Sequence, residues 1–401
     1  MSGRLLVSAL PGERRFAWLG DEGLEDLLIL RDDHPEVLNS LYLGRVTRVD
    51  RGLAAAFVDI GLAEPGLLPF DEVPEAPPSE GDSVTVKVLR APARGKGARL
   101  TARLKAPPRD LPHLIKAQRP PALLAAADGP LARFLAAKRQ PEAILVDDAE
   151  ALSDFRNRLA ATRPAWLDRL DLDLDPRPLF EREGVEEAID GLLTPRVELP
   201  SGGYLLVEPV RSLTAIDVNS GTHDARGSRS NLFHGVNLEA AAEIARQVHL
   251  RGLSGLIIID FLEMSRMRQR EQVVALLRQG LKATGEPFRV FPMAPSGLVE
   301  VTRRRSRPAL HELLTQACGL GGGGRVKAPS TLAYEALRRL RQEIAARPGG
   351  RPSIEAPLAV IEALKGPQAP ARLALEARLG RAIGLRALPG AAANDVTIVM
   401  E

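Results

Sequence analysis

The chain has 401 residues, of which 45% are apolar and 26% charged, with a formal net charge of +3. Those values exclude wholesale disorder, and the length exceeds what one hydrophobic core supports, so two to four domains are expected. No run approaches the roughly 18 apolar residues of a membrane-spanning helix, and a single cysteine, Cys318, excludes an internal disulfide or a cysteine-only zinc site. The start, Met1-Ser-Gly-Arg-Leu-Leu-Val7, lacks the long apolar run of a secretory signal, which makes a cytoplasmic location the default expectation. The mildly basic balance permits a nucleic-acid partner without requiring one.

Residues 1–35 alternate short apolar runs with turn residues (Leu5-Leu-Val7, Phe16-Ala-Trp-Leu19, Leu27-Leu-Ile-Leu30) and predict a small meander of strands. Five further runs, at 41–49, 54–61, 66–70, 84–89 and 99–104, are punctuated by glycine and fit a small closed barrel. The OB-fold is the commonest nucleic-acid-binding barrel of that size. Residues 105–133, rich in proline and alanine, read as a connector or a loosely packed helix. Residues 134–200 alternate helical stretches (149–159, 184–193) with the short strand Ala143-Ile-Leu-Val146.

Residues 201–315 are more regular. Tyr204-Leu-Leu-Val207 and Leu213-Thr-Ala-Ile-Asp217 read as strands, and 238–250 as a helix, with Leu238, Ala241, Ile244, Ala245 and Val248 at helical spacing. Gly255-Leu-Ile-Ile-Ile-Asp260 reads as a strand buried on both faces. A helix over 269–282 then returns to a strand at 288–291, an α/β catalytic-domain pattern. Residues 319–324 form a glycine joint, and 326–401 a smaller α/β tail.

Two apolar strands thus end in an aspartate, Asp217 and Asp260. An unpaired buried carboxylate is costly, so such residues sit at the strand mouth, where ligands of α/β sheets gather. Asn219, two residues on, faces the same side as Asp217 in extended chain and can hydrogen-bond a carboxylate or a phosphate. Two carboxylates completed by water and phosphate oxygens suit Mg²⁺. Loop-capping by the two aspartates is the alternative that spacing leaves open. His223 and His234 lack zinc spacing, and Gly319-Leu-Gly-Gly-Gly-Gly324 is not followed by the Gly-Lys-Ser/Thr of a phosphate loop.

Leu213-Thr-Ala-Ile-Asp-Val-Asn-Ser-Gly221, Asn237-Leu-Glu-Ala-Ala241, Glu243-Ile-Ala-Arg-Gln247 and Gly255-Leu-Ile-Ile-Ile-Asp-Phe261, in that order, resemble the catalytic-core motifs of the ribonuclease E/G family. The resemblance implies that Asp217 and Asp260 hold Mg²⁺, that Asn219 supports Asp217, and that an activated water cleaves single-stranded RNA to 5′-phosphate and 3′-hydroxyl ends. It implies a multidomain α/β fold: a ribonuclease-H-like scaffold at 1–37 and 134–200, interrupted by an OB-type RNA-binding barrel at 38–104 and a connector or reduced sensor region at 105–133. A DNase-I-like α/β catalytic domain at 201–315, a Gly-rich linker at 316–325 and a small α/β oligomerisation domain at 326–401 follow, with a homo-oligomer, dimer ahead of tetramer, as the expected assembly. Phe57 matches an aromatic that packs on RNA, with a barrel-core position as the alternative, and Lys96 matches a basic contact. The family's second barrel aromatic falls on Leu67. Arg303, Arg304 and Arg305 are candidate phosphate contacts, with a solvated surface as the alternative reading.

Two departures from the family matter. After the barrel the chain runs from Leu104 into Pro107-Pro108 without the Arg-Thr pair that reads a 5′-monophosphate. Where the family has a Cys-Pro-x-Cys pair this chain has only Cys318, which gives a dimer two thiolates where tetrahedral zinc takes four ligands; a zinc link is not expected. The expected activity is Mg²⁺-dependent endonucleolytic hydrolysis of RNA in processing or decay. The rival readings are an RNA- or ribosome-binding protein with weak or no turnover, and a phosphodiesterase acting on DNA.

Overall fold

A computed structural model describes the chain except residues 1–2, 35–36, 93–95, 105–107, 109, 127–128, 176, 211, 222–228, 319–323, 348 and 401, and only the backbone of 229 and 230. Pro107, His223 and residues 319–323 of the glycine joint, noted in the sequence, lie outside the described residues. The chain forms two compact units, residues 35–136 and residues 1–34 with 137–401.

The 35–136 unit is a five-stranded ring. Strand Leu41–Asp50 pairs with Ala55–Asp59 on one side and Ser83–Arg90 on the other; Gly66–Pro69 and Arg99–Thr101 close the circuit through a parallel contact at Leu67 and Arg99. This first-second-third-fifth-fourth order makes the barrel OB-like. One strand serves two edges because it bends. A register shift lies between Val46 and Arg48, and at Gly44 a Cβ would come 2.4 Å from the Val58 side chain. Alternation sends Ala56 and Val58 into a core with Val46, Leu68, Val86, Val88 and Leu100, and turns Phe57 outward. The proline- and alanine-rich segment builds helices Leu111–Ala117 and Pro130–Ala136, and between them a strand, Ala122–Ala125, that adds to the barrel along Leu41–Leu43.

In the larger unit, Arg4–Leu10, Glu13–Gly20 and Gly23–Arg31 form an antiparallel meander, extended by the parallel strands Ala143–Val146 and Leu170–Leu172. A second sheet has the order Arg196–Glu198, Tyr204–Pro209, Thr214–Asn219, Gly255–Asp260, Leu298–Arg303, Phe288–Val290. Its one parallel pair, Thr214–Asn219 with Gly255–Asp260, requires a crossover, which the helix Arg229–Leu250 supplies. That helix and Met267–Ala283 pack on the same sheet face, over Ile216, Val218, Ile257, Ile259, Val299 and Val301. The strand expected to be buried on both faces is therefore covered on one only: Ile257 and Ile259 are buried, Ile258 is half-buried and Asp260 exposed. A third sheet, Gly384–Ala387, Pro352–Ala356 and Thr397–Met400, packs with helices Pro329–Ala346, Leu358–Lys365 and Ala369–Leu379 around its own core.

Two buried carboxylates on the meander tie these layers together. Glu13, 2% exposed, accepts from Arg31 Nε at 2.7 Å and from Arg338 Nη1 on the helix Pro329–Ala346, with Arg15 Nε 3.8 Å away. Arg31 also donates to the Leu313 carbonyl and to Thr331, and lies over the Tyr334 ring. Asp26 receives Lys138 Nζ at 2.8 Å, His249 Nε2 at 3.0 Å and Arg307 Nη1 at 3.5 Å. Burial by itself would raise both acids. The surroundings override it: the neighbouring arginines hold Glu13 at about 2 against an ordinary 4.5, and the His249 hydrogen bond, with Arg307 and Lys138, holds Asp26 below the usual carboxylate range.

A depressed folded-state pKa contributes stability that is complete above the unfolded value and is lost as pH falls through the folded one. Glu13→Gln strips a charge from three buried arginines, a loss on the order of 3–5 kcal/mol near neutrality. Denaturant unfolding should show the gap between wild type and Glu13→Gln closing as pH drops from about 4.5 to about 2. A gap independent of pH in that window would mean the carboxylate charge is not what stabilises the junction.

Candidate functional site

Register places the two aspartates. Asp217 and Asp260 are directly paired across parallel strands, so their Cα atoms lie about one strand spacing apart, near 4.8 Å, and both side chains leave the same, helix-free face. Both are exposed, and neither has an ion-pair partner among the described residues. Asn219 Nδ2 donates to Asp217 Oδ2 at 2.8 Å, fixing that carboxylate's orientation without neutralising it. The Asp260 carboxyl is pushed above its ordinary value, first by partial burial and then by the Asp217 charge. Two like charges so placed favour a cation between them. Among the described residues no cluster of three or more His, Cys, Asp or Glu could hold a metal, so the site offers two protein carboxylates and leaves the other positions to water or substrate.

The backbone around the pair is held from below. Asn237, fully buried on the crossover helix, donates to the Leu262 carbonyl at 2.8 Å and accepts from the Leu262 amide at 3.1 Å, clamping the chain just after Asp260. Glu239, on the same helix, accepts from the Ser201 amide at 2.9 Å. Gly221 turns the chain after Asn219 with φ +68°, and a Cβ there would meet the Gly202 carbonyl at 2.2 Å. The motifs Ser201-Gly-Gly203, Asn219-Ser-Gly221 and Asn237-Leu-Glu239 are thus parts of one cradle. Sequence reading recognised the last two as motifs but not the role of Asn237. A polar residue within an otherwise apolar helical face was the available signal.

The other candidates separate. Phe57 lies half-buried on the barrel's outer surface under the Arg48 guanidinium, 4.1 Å from the ring centroid, and is not a core residue. Lys96 is exposed beside the barrel strand Arg99–Thr101. The arginine cluster divides by sheet alternation. Arg303 is 5% exposed on the helix-covered face, donating to the Leu253 carbonyl at 2.8 Å, and burial draws its pKa down to about 10. This corrects its assignment as an RNA contact: a guanidinium enclosed there cannot reach a phosphate. Arg305 is partly buried and bonded to Glu312 at 2.7 Å, whereas Arg304 is exposed. Arg307 donates to the carbonyls of Leu27 and His249.

A multidomain α/β protein with an OB-like barrel and an exposed aspartate pair on a mixed sheet is the class these features define. The profile of the Ribonuclease E/G family matches residues 101–306, which include both aspartates and Asn219. Ribonuclease G of Salmonella typhimurium (strain SL1344) is 28% identical over 479 aligned positions, covering 97% of this chain and 98% of that protein. Ribonuclease G of Haemophilus influenzae is 28% identical over 84% of this chain and 86% of its own length. Ribonuclease E of Escherichia coli (strain K12) is 27% identical over 85% of this chain but 40% of its own. The chain belongs to the ribonuclease E/G family.

Arg303→Gln should lower the melting temperature, through a stability loss of about 1.5–3 kcal/mol at most, the scale of a charged hydrogen bond, and leave the salt dependence of RNA binding unchanged. Arg304→Gln should do the reverse, reducing the slope of log affinity against log salt by about 0.7. An unchanged slope for Arg304→Gln would return that side chain to the solvated surface.

Proposed function

We propose that this chain is an Mg²⁺-dependent enzyme that hydrolyses single-stranded RNA to 5′-phosphate and 3′-hydroxyl ends. Family membership makes it an endoribonuclease, a hydrolase of RNA phosphodiester bonds acting in RNA processing or decay. The observation that carries the finer reading is the in-register pair Asp217 and Asp260 on an open face, with Asn219 orienting the first. The donor set fits the group. Mg²⁺ prefers few carboxylates and retains water, and an acid raised by partial burial and by its neighbour's charge is one that a cation would restore to the ionised form. When bound, such an ion lowers the pKa of a coordinated water and offsets charge building on the phosphodiester. The protein's part is to hold the two carboxylates aligned, with Asn219 setting the orientation of Asp217, on a face that an extended strand can lie across.

The barrel supports the same reading. Its outward Phe57 offers a stacking surface and exposed Lys96 a charge, the two elements of single-strand binding. In this proposal residues 1–37 with 134–200 are a ribonuclease-H-like scaffold, 201–315 a DNase-I-like catalytic domain and 326–401 a small oligomerisation domain of a cytoplasmic homodimer. A zinc link is not part of it, since Cys318 supplies one thiolate per chain. No helix among the described residues is long and apolar enough to cross a membrane.

Asp217→Asn and Asp260→Asn should each abolish Mg²⁺-dependent cleavage of an unstructured RNA while leaving the melting temperature and most RNA affinity intact, because affinity comes from phosphate neutralisation elsewhere. Near-normal turnover by either variant would remove the site assignment.

The alignment with ribonuclease G of Salmonella typhimurium is longer than this chain, so that protein carries internal residues this one lacks. Selective recognition of a terminal phosphate needs several donors in fixed geometry, and the segment after the barrel has Lys116 and Arg119 but no Arg-Thr pair. RNAs with 5′-monophosphate, 5′-triphosphate or 5′-hydroxyl ends should therefore be cleaved at rates within a few-fold of each other. A monophosphate preference above about tenfold, the value of one good charge-assisted contact, would reveal another pocket for the end.

A further inference from the structure

The open sheet face carries more than the aspartates. One cross-strand row runs Arg196, Leu206, Asp217, Asp260, Leu298, and the next runs Glu198, Tyr204, Asn219. Tyr204 is thus the lateral neighbour of Asn219. The Arg196 guanidinium lies 3.7 Å from the Tyr204 ring centroid, and its Nε and Nη2 donate to the two Glu198 oxygens at 2.5 and 3.4 Å. The side chains of Arg196 and Glu198 are 52% and 65% exposed, so this layered pair faces solvent.

We propose that Tyr204 and Arg196 form a nucleobase-binding shelf that takes a base flanking the scissile phosphate; this rests on the aspartate-pair reading of the active site. Arg196 stands two strand spacings, about 10 Å, from Asp217 along its row, and Tyr204 one strand spacing from Asn219 in the next, so the shelf's occupant is a nucleotide close to the one being cleaved. Splayed bases of single-stranded RNA stack on aromatic rings and on arginine planes, and here the two are already layered. The ligand is a base rather than a phosphate because Glu198 neutralises Arg196 and takes two of its donors, Nε and Nη2. What remains on offer is a flat, oriented, weakly hydrated surface. As a purely structural feature the trio would contribute little, since an exposed ion pair adds almost nothing to stability.

The experiment uses the full chain and an unstructured RNA with one cleavage site, intact or with a single abasic nucleotide at each flanking position. In wild type one abasic position should reduce kcat/KM about tenfold, the scale of one lost stacking contact, mainly through KM. Tyr204→Leu should suffer a similar loss on intact RNA and be indifferent to that abasic position, Tyr204→Phe should restore the wild-type pattern, and Arg196→Lys should reproduce part of the loss without altering the salt slope. The same comparison by RNA binding, with Asp217→Asn added to every protein, does not depend on cleavage. Cleavage by Asp217→Asn alone would sink the catalytic reading, while binding still judges the shelf. If the Tyr204→Leu and abasic losses multiply, or if Tyr204→Leu binds intact RNA as tightly as its parent, the shelf does not exist. A reduced salt slope in Arg196→Lys would make Arg196 a phosphate contact and overturn the base assignment.

Discussion

Glu13 is a carboxylate that the chain cannot bury alone. Removed from water it needs cations, and it finds them in Arg31 beside it and in Arg338 on a helix 325 residues away in sequence. That demand fastens the meander to the C-terminal core. Asp26, on the same meander, likewise gathers Lys138, His249 at the end of the crossover helix, and Arg307 beyond the last long strand. The sheet that carries the aspartate pair is therefore gripped from the side that carries its helices, through Arg246 to the Leu24 carbonyl and Arg307 to the Leu27 carbonyl as well. No helix among the described residues of this unit packs on its other face, and the aspartates stand on that face.

Much of this was legible because the period of a strand is strict. Asp217 and Asp260, each closing an apolar run, could be picked out as candidates, and Asn219 as a companion by alternation, while the family resemblance supplied the reason to join them in a metal site. What alternation along one strand cannot supply is the neighbour. The run Leu256 to Ile259 looks buried on both faces, because half-buried aliphatic residues on an open sheet face and fully buried ones are the same residue types. Arg303, Arg304 and Arg305 illustrate the converse. As a run of charge they read alike, yet consecutive residues at a strand's end diverge, and Arg303 is drawn beneath the helices to cap the Leu253 carbonyl. The Tyr204 shelf was hidden for a third reason: Arg196 and Tyr204 meet only through antiparallel register, fixed by a turn whose glycines say nothing about the pairing of side chains.

The barrel and the aspartate-bearing sheet, each taken by itself, present an arginine layered on an aromatic: Arg48 on Phe57 and Arg196 on Tyr204. Layering holds the ring in one orientation and shields one of its faces, so less side-chain freedom is lost when a further flat group arrives. Leu67, cross-strand partner of Phe57, is aliphatic and offers no second ring to that surface. Under the proposed function such a surface would grip bases weakly and without much regard to identity, as an enzyme acting on unstructured RNA requires.

The insertion of residues 35–136 into the larger unit sets an order of events during synthesis. The smaller unit closes its ring within a contiguous stretch and can complete its core as soon as that stretch leaves the ribosome. The meander, although made first, must wait. Its strand Arg4–Leu10 needs Ala143–Val146 at its edge, and Glu13 needs Arg338. Until then the nascent chain carries an incomplete sheet with a bare edge and an acid short of a partner, a state prone to pairing with other chains. Contacts of such long sequence separation fold slowly. Yield in a cell should therefore respond to translation rate and chaperone supply more sharply than the stability of the finished molecule would indicate.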